Sequence, residues 1–301
     1  MADLWTGTHT ALVTPFTAAG EVDDARLVRL VAFQVDGGVD GLVPCGTTGE
    51  GATLSKQEQI RVIARVVEAA DRRVTILAGV GGNATDSVVA HARDVEALGV
   101  DGVLSVVPYY NKPTQEGLYR HFSTIADAVS VPVILYNVPG RTSCNLLPGT
   151  VLRLAAHGNV AGIKEASGSL PQVMEILAAR PRGFRVLSGE DNLTLAVIAL
   201  GGDGVISVVS NEVPMLMSRM VRAALDGERE EARRLHYHLL DLMNLNFVET
   251  NPIPVKGALA LMGLIEEQYR LPLVPPTPET RERLRRELAR LDLIESYVGR
   301  P

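Results

Sequence analysis

The chain has 301 residues, 46% of them hydrophobic, a formal charge of −6 and two cysteines. That length suits one large α/β domain, or a barrel with an appendage, and suffices to bury a sizeable core. The acidic balance and the scattered arginines leave no basic stripe for nucleic acid, and Cys45 and Cys144 make no metal-ligand pattern.

Met1-Ala-Asp-Leu-Trp5 lacks the basic and apolar regions of a signal peptide, and with so few cysteines a reduced, cytoplasmic location fits. The first predicted strand is Thr8–Thr14. Others follow at Gly41–Cys45, Val74–Gly79, Gly102–Val107, Val131–Asn137, Val160–Lys164, Arg185–Ser188 and Gly204–Val208. Most are unbroken apolar runs without alternation, the pattern of parallel strands covered on both faces. Helix signals lie between them. Ser55-Lys-Gln-Glu58 is a capping box before Ile60, Ile63, Ala64 and Val67, and Ser169-Leu-Pro-Gln172 reads as a second. Asp86–Leu98, Gln115–Val129 and Leu193–Leu200 are further helical windows. The apolar stretch from Leu193 to Val209 is broken by Gly201-Gly-Asp-Gly204, so it reads as helix, turn and strand, with no membrane span. Eight strands alternating with helices predict a (β/α)8 TIM barrel over residues 1–227. Beyond it, residues 228–301 read as a C-terminal helical appendage. Leu284, Leu288, Leu291 and Ile294 form its apolar stripe, suited to packing within the chain or between subunits.

In such a barrel, chemistry belongs at the C-terminal ends of the strands. Lys164 stands there, one of four lysines in a chain whose other basic residues are arginine. Burying an ammonium is costly, and a neutral amine at a strand end is a nucleophile toward carbonyls. The plainer alternative is a lysine that snorkels to the rim or pairs with Glu165. Gly46-Thr47-Thr48-Gly49 offers successive amide groups and two hydroxyls, a nest for a small carboxylate. Tyr136 places a phenol at a strand end, able to relay a proton, and Arg141 follows a Pro-Gly turn at the mouth, where a guanidinium grips a carboxylate. Gly79-Val-Gly-Gly-Asn-Ala84 matches a dinucleotide fingerprint formally, but it follows the third strand and lacks the acid that should end the next. His236 and His238, two apart on a helix, are not a metal pair. With no metal or cofactor motif present, an amine is the electrophilic device left.

Several stretches carry a wider likeness: Gly46-Thr-Thr-Gly-Glu50, Pro108-Tyr-Tyr-Asn111, Thr114-Gln-Glu-Gly-Leu-Tyr119, Tyr136-Asn-Val-Pro-Gly-Arg-Thr142, Gly162-Ile-Lys-Glu-Ala166, Gly204-Val-Ile-Ser207 and Asn251-Pro-Ile-Pro-Val-Lys256. In these the chain resembles the pyruvate-dependent class I aldolases, the N-acetylneuraminate lyase family of (β/α)8 lyases, over nearly its whole length. The resemblance implies a Schiff base between Lys164 and pyruvate, whose carboxylate Thr47 and Thr48 bind beside the Ile206 main-chain carbonyl. It implies a proton relay of Tyr136, Thr48 and Tyr110, with Tyr110 donated across a tight dimer interface, and a homotetramer built from such dimers. Arg141 matches the residue that recognises L-aspartate 4-semialdehyde, the second substrate in the branch that opens lysine and diaminopimelate biosynthesis. No cofactor is implied.

Many members of that branch are inhibited by lysine at the dimer interface. Asn83 and Tyr109 match the inhibitor pocket, whereas Gly51, Lys56, Gln59 and Ser87 stand at its other positions. Lys56 sets a cation near the incoming ammonium and Ser87 removes a carboxylate, so weak or absent feedback is expected. Two alternatives keep the barrel: a neuraminate or 2-keto-3-deoxy-sugar-acid aldolase, which Arg141 disfavours, and a non-catalytic binding barrel, which the joint presence of Lys164, Tyr136, Thr48 and Tyr110 disfavours.

Overall fold

The computed structural model describes residues 4–295. Eight parallel strands close into a barrel in chain order: β1 (Gly7–Ala11), β2 (Gly41–Val43), β3 (Thr75–Gly79), β4 (Gly102–Val106), β5 (Val133–Asn137), β6 (Val160–Glu165), β7 (Arg185–Ser188) and β8 (Gly204–Ser207). β8 pairs with β1, His9 lying opposite Ile206. The helices of the first half are α1 (Asp24–Asp36), α2 (Lys56–Ala70), α3 (Thr85–Glu96), α4 (Gln115–Ala128), α5 (Pro139–Thr142) and α6 (Pro148–Ala155). Those of the second are α7 (Leu170–Ala179), α8 (Thr194–Ala199), α9 (Pro214–Leu225), α10 (Arg229–Leu245), α11 (Ile253–Leu261) and α12 (Pro278–Arg290).

Strand parity explains the unbroken apolar runs. Leu42, Ile76, Val103, Leu135, Ile163 and Val186 pack outward against the helices. Their neighbours Val43, Leu77, Leu104, Ile134 and Leu187 point inward, with Ile206 and Trp5 in the same inner cluster. Successive side chains on a strand face opposite ways. Ile163 faces out, so Lys164 faces in; Tyr136, two residues after inward Ile134, does the same.

All eight expected strands form, and the differences lie at their ends. β1 stops at Ala11 because the Asn211 side chain replaces a neighbouring strand: its amide donates to the Ala11 carbonyl at 2.9 Å and its oxygen accepts from Val13 at 3.1 Å. β2 stops before Cys45, whose φ of 57° breaks the extended backbone. The Ser55–Glu58 capping box is complete, each side chain bonding the other residue's amide. The second expected box is half formed. Ser169 accepts from the Gln172 amide, but the Gln172 side chain turns away to Asn145, Leu146 and Glu165.

Leu284 and Leu288 are fully buried against Leu245 and Ala258, and Leu291 joins the cluster of α9 and α10, so the stripe packs within the chain. Residues 296–301 of the expected appendage lie outside the described residues. Among the described residues no helix is long and apolar enough to cross a membrane.

Candidate active site

Lys164 ends β6 inside the barrel, 5% exposed, with Tyr136 beside it in register on β5 and Leu187 on β7. Its Nζ lies 4.5 Å from the centroid of the Tyr136 ring. The alternative pairing with Glu165 fails on parity. Glu165 points outward, where its carboxylate accepts from the Asn137 and Gln172 side chains and the Ser167 amide. No carboxylate stands within hydrogen-bond distance of Lys164 among the described residues. Gly189, at the end of β7, makes room for the stem, since a Cβ there would lie 3.0 Å from Lys164 Cε.

Opposite stands the loop after β2. Cys45 and Glu50 both have positive φ, 57° and 53°, and bracket Gly46-Thr-Thr-Gly49. Holding two non-glycine residues there stores strain that surrounding contacts must sustain. Those contacts exist. The Thr14 hydroxyl donates to the Gly49 carbonyl at 2.6 Å, and a Cβ on Gly49 would sit 2.9 Å from the Leu12 carbonyl oxygen. Thr48, 3% exposed, accepts from Asn251 Nδ2 at 3.0 Å, while Thr47 faces the open cleft.

Glu50 and Lys256 form an ion pair in which both side chains are fully buried. The ammonium lies 4.3 Å from the Phe16 ring centroid and 5.1 Å from that of Tyr269, and the second Glu50 oxygen accepts from the Arg270 amide at 3.3 Å. Burial pushes the Lys256 pKa down, against the Glu50 charge that raises it. Lys256 is therefore more deeply buried than Lys164, and what separates the two amines is the partner. Lys256 is committed to a carboxylate; Lys164 faces the Tyr136 ring inside the barrel.

Sequence reasoning passed over the acids behind Lys164. Asp191, 2% exposed, accepts from the Val208 and Val209 amides at 3.0 and 2.8 Å. Burial raises its pKa, while the Ser207 hydroxyl, these amides and the Lys164 charge pull it down. Burial also raises Glu190, helped by the charges of Glu165 and Asp191, and lifts fully buried Glu212 well above the ordinary value. The signal was the unbroken polar run Ser188-Gly-Glu-Asp191 at a strand end.

A cleft of about 520 Å³ is walled by Thr47, Tyr136, Val138 and Arg141; Lys164 reaches it through its neighbour Tyr136 and, like Thr48, is not itself part of the lining. Arg141 lies on α5 and its Nη2 donates to the Asn251 carbonyl at 3.1 Å. Ile206 is fully buried on β8. Gly51, Lys56, Gln59, Asn83, Ser87 and Tyr109 line the far side of the same cleft. Several of their groups are already engaged: Gln59 Nε2 donates to the Gly51 and Leu54 carbonyls at 2.7 and 3.2 Å, and Asn83 Nδ2 to the Tyr109 carbonyl at 3.3 Å. Lys56 and Arg141 are the charged residues of the lining, which holds no Asp or Glu among the described residues. Tyr110 does not join the group. It is 89% exposed with a φ of 74° and makes no hydrogen bond to Tyr136 or Thr48 among the described residues. The glycines of the dinucleotide-like stretch serve packing, since a Cβ on Gly79 would lie 2.6 Å from the Cys45 carbonyl oxygen and one on Gly81 2.4 Å from the Val106 nitrogen.

The 4-hydroxy-tetrahydrodipicolinate synthase of Koribacter versatilis is 53% identical over 96% of this chain and 97% of its own length. That of Chlorobium limicola is 52% identical over 97% and 99%. The dihydrodipicolinate synthase of Aquifex aeolicus superposes with a TM-score of 0.95 at 44% identity, covering 97% of this chain and 100% of that one. A monomeric dihydrodipicolinate synthase variant also superposes with a TM-score of 0.95, at 43% identity over 97% and 98%. The sequence profile of the Dihydrodipicolinate synthetase family matches residues 4–291, and the chain belongs to that family.

Proposed function

We propose that the protein condenses pyruvate with L-aspartate 4-semialdehyde to 4-hydroxy-tetrahydrodipicolinate, the step that opens lysine and diaminopimelate biosynthesis. The observation that carries this reading is Lys164: an inward-facing amine at a strand end, without a carboxylate partner among the described residues, against the ring of Tyr136, which lines the cleft. In this reading Lys164 attacks the pyruvate ketone and water leaves, giving an imine. The imine draws electrons from the methyl group, a proton departs, and the enamine carbon attacks the aldehyde. The amino group of the adduct then attacks the imine carbon, closing the ring and expelling Lys164. Thr47 and the amides of its loop hold the pyruvate carboxylate, with the Ile206 carbonyl at the pocket wall. Tyr136 and Thr48 move protons. Arg141 takes the carboxylate of the aldehyde substrate, a group that a sugar polyol lacks.

Tyr110 completes the relay from a second copy. A tyrosine 89% exposed and held at positive φ is presented outward, as a residue donated to a neighbour would be. The assembly in this reading is a tetramer of two tight dimers, and the location is the cytoplasm, in keeping with two free, buried cysteines. Lysine regulates the enzyme weakly or not at all, because the far side of the cleft offers an incoming ammonium the charge of Lys56 and no carboxylate.

Borohydride reduction with pyruvate tests the reading. A stable pyruvyl adduct mapping to Lys164 is expected, and its absence would return the barrel to the class of binding proteins. A panel of aldehydes tests the second substrate: aspartate semialdehyde should be preferred, and Arg141→Ala should raise its KM about tenfold or more while the pyruvate KM stays within about twofold.

A further inference from the structure

Tyr110 stands on the loop between β4 and α4, and both it and Lys112, two places on, lie in the left-handed region, with φ values of 74° and 44°. L side chains rarely adopt that backbone. Tyr110 is 89% exposed and its side chain makes no hydrogen bond among the described residues, so its own contacts do not hold it there.

What holds it is a pair of asparagines. Asn111 Nδ2 donates to the Asn83 carbonyl at 2.8 Å, and Asn83 Nδ2 donates to the Tyr109 carbonyl at 3.3 Å. The Tyr109 carbonyl also accepts from the Asn111 amide at 2.9 Å. The residues on either side of Tyr110 are thus tied to one residue of the loop between β3 and α3. That loop is itself pressed on β4, where a Cβ on Gly81 would lie 2.4 Å from the Val106 nitrogen. Fixing residues 109 and 111 leaves residue 110 little backbone freedom, and the sustained positive φ then sets the direction in which its phenol leaves the surface. We propose that Asn111 is a positioning residue that acts in trans: with Asn83 it clamps the turn around Tyr110 so that the phenol is aimed into the active site of a second copy of the chain. This rests on the functional reading above, in which Tyr110 completes the relay of a neighbouring subunit.

Both side-chain bonds are solvent-exposed, and exposed bonds add little to the stability of a fold. Asn111→Ala should therefore melt within about 3 °C of wild type and sediment as wild type does. Its pyruvate KM should stay within about twofold while kcat falls at least about tenfold. Mixed subunits separate the two copies. Chains with different affinity tags are co-expressed and purified through both tags. Lys164→Ala lacks the amine but offers an intact loop; Asn111→Ala keeps the amine and misplaces the tyrosine. A mixed dimer of the two holds one complete site, so about a fifth to a half of the wild-type kcat should return. Asn111→Ala mixed with Tyr110→Phe has no complete site and should stay as slow as either parent.

Recovery from Lys164→Ala with Tyr110→Phe, but none from Lys164→Ala with Asn111→Ala, would put the effect of Asn111 in its own chain and overturn the proposal. So would recovery from Asn111→Ala with Tyr110→Phe, or a wild-type kcat in Asn111→Ala. An Asn111→Ala protein that sediments as a monomer would overturn it too, by making the residue a builder of the interface. Failure of the functional reading is a different result and takes the proposal with it: wild-type protein that takes no pyruvyl adduct, or no recovery from Lys164→Ala with Tyr110→Phe.

Discussion

Replacing Lys256 by methionine should be among the most damaging single changes outside the cleft. Methionine fills much of the stem's volume but leaves the Glu50 carboxylate fully buried with only the Arg270 amide to answer it. Breaking one side of a buried ion pair typically costs about 3–5 kcal/mol, most of it the uncompensated charge left behind. At about 2.1 cal/mol/K per residue, a chain of this length loses about 0.6 kcal/mol of stability per kelvin near its midpoint. The expected fall in Tm is therefore about 5–8 °C. Glu50→Gln combined with Lys256→Met removes both charges, leaves a neutral amide among Phe16 and Tyr269, and should recover more than half of that loss. Scanning calorimetry on the wild type, the two single variants and the double variant measures the coupling directly. A Lys256→Met protein that melts within about 1 °C of wild type, or a double variant no better than the single, refutes the account of the pair.

Three further outcomes are expected. Gly189→Ala sets a methyl group 3.0 Å from Lys164 Cε and 2.5 Å from the Ala166 Cβ, so pyruvyl adduct formation should slow at least about tenfold; an unchanged rate would show that the amine does not need that space. Burial pushes His91 and His121 down to about 4, so the folded protein keeps both rings neutral where an unfolded chain binds protons. Stability should accordingly begin to fall as pH drops below about 6.5 and go on falling to about 4, by about 1–2 kcal/mol per ring with water access allowed for, and His121→Gln should flatten that slope in urea titrations. Finally, lysine below millimolar concentration should leave the initial rate untouched, and measurable inhibition there would contradict the charge argument drawn from Lys56 and the carboxylate-free lining.

Strands were the most legible part of the sequence, because parallel strands buried on both faces must be apolar throughout, and the turns between them carry glycine and polar residues. Ser55 and Glu58 were legible for a similar reason, since a capping box closes within four residues. Ser169 and Gln172 spell the same local phrase, yet Gln172 goes to Glu165 and Asn145, a choice made by neighbours the local pattern does not contain. The same limit hid Asn251 and Glu50–Lys256. Their partners lie 203 and 206 residues away along the chain, and nothing in a short window announces such a bond. Lys256 carried the clue that drew attention to Lys164, a rare lysine in an apolar run. Rarity and burial find both amines; what separates them is the Glu50 carboxylate that Lys256 has and Lys164 lacks.

The clamp on the Gly46–Glu50 loop also has a consequence in time. A ribosome makes the loop early and the residues that grip it, Asn251 and Lys256, more than 200 residues later. The strained turn at Cys45 and Glu50 must therefore wait for the tail before it is held in place. A nascent chain, or one cut before residue 251, lacks the two side chains that clamp this loop. The pocket loop cannot be completed before the last sixth of the chain is made, and the segment 251–256 acts as its latch.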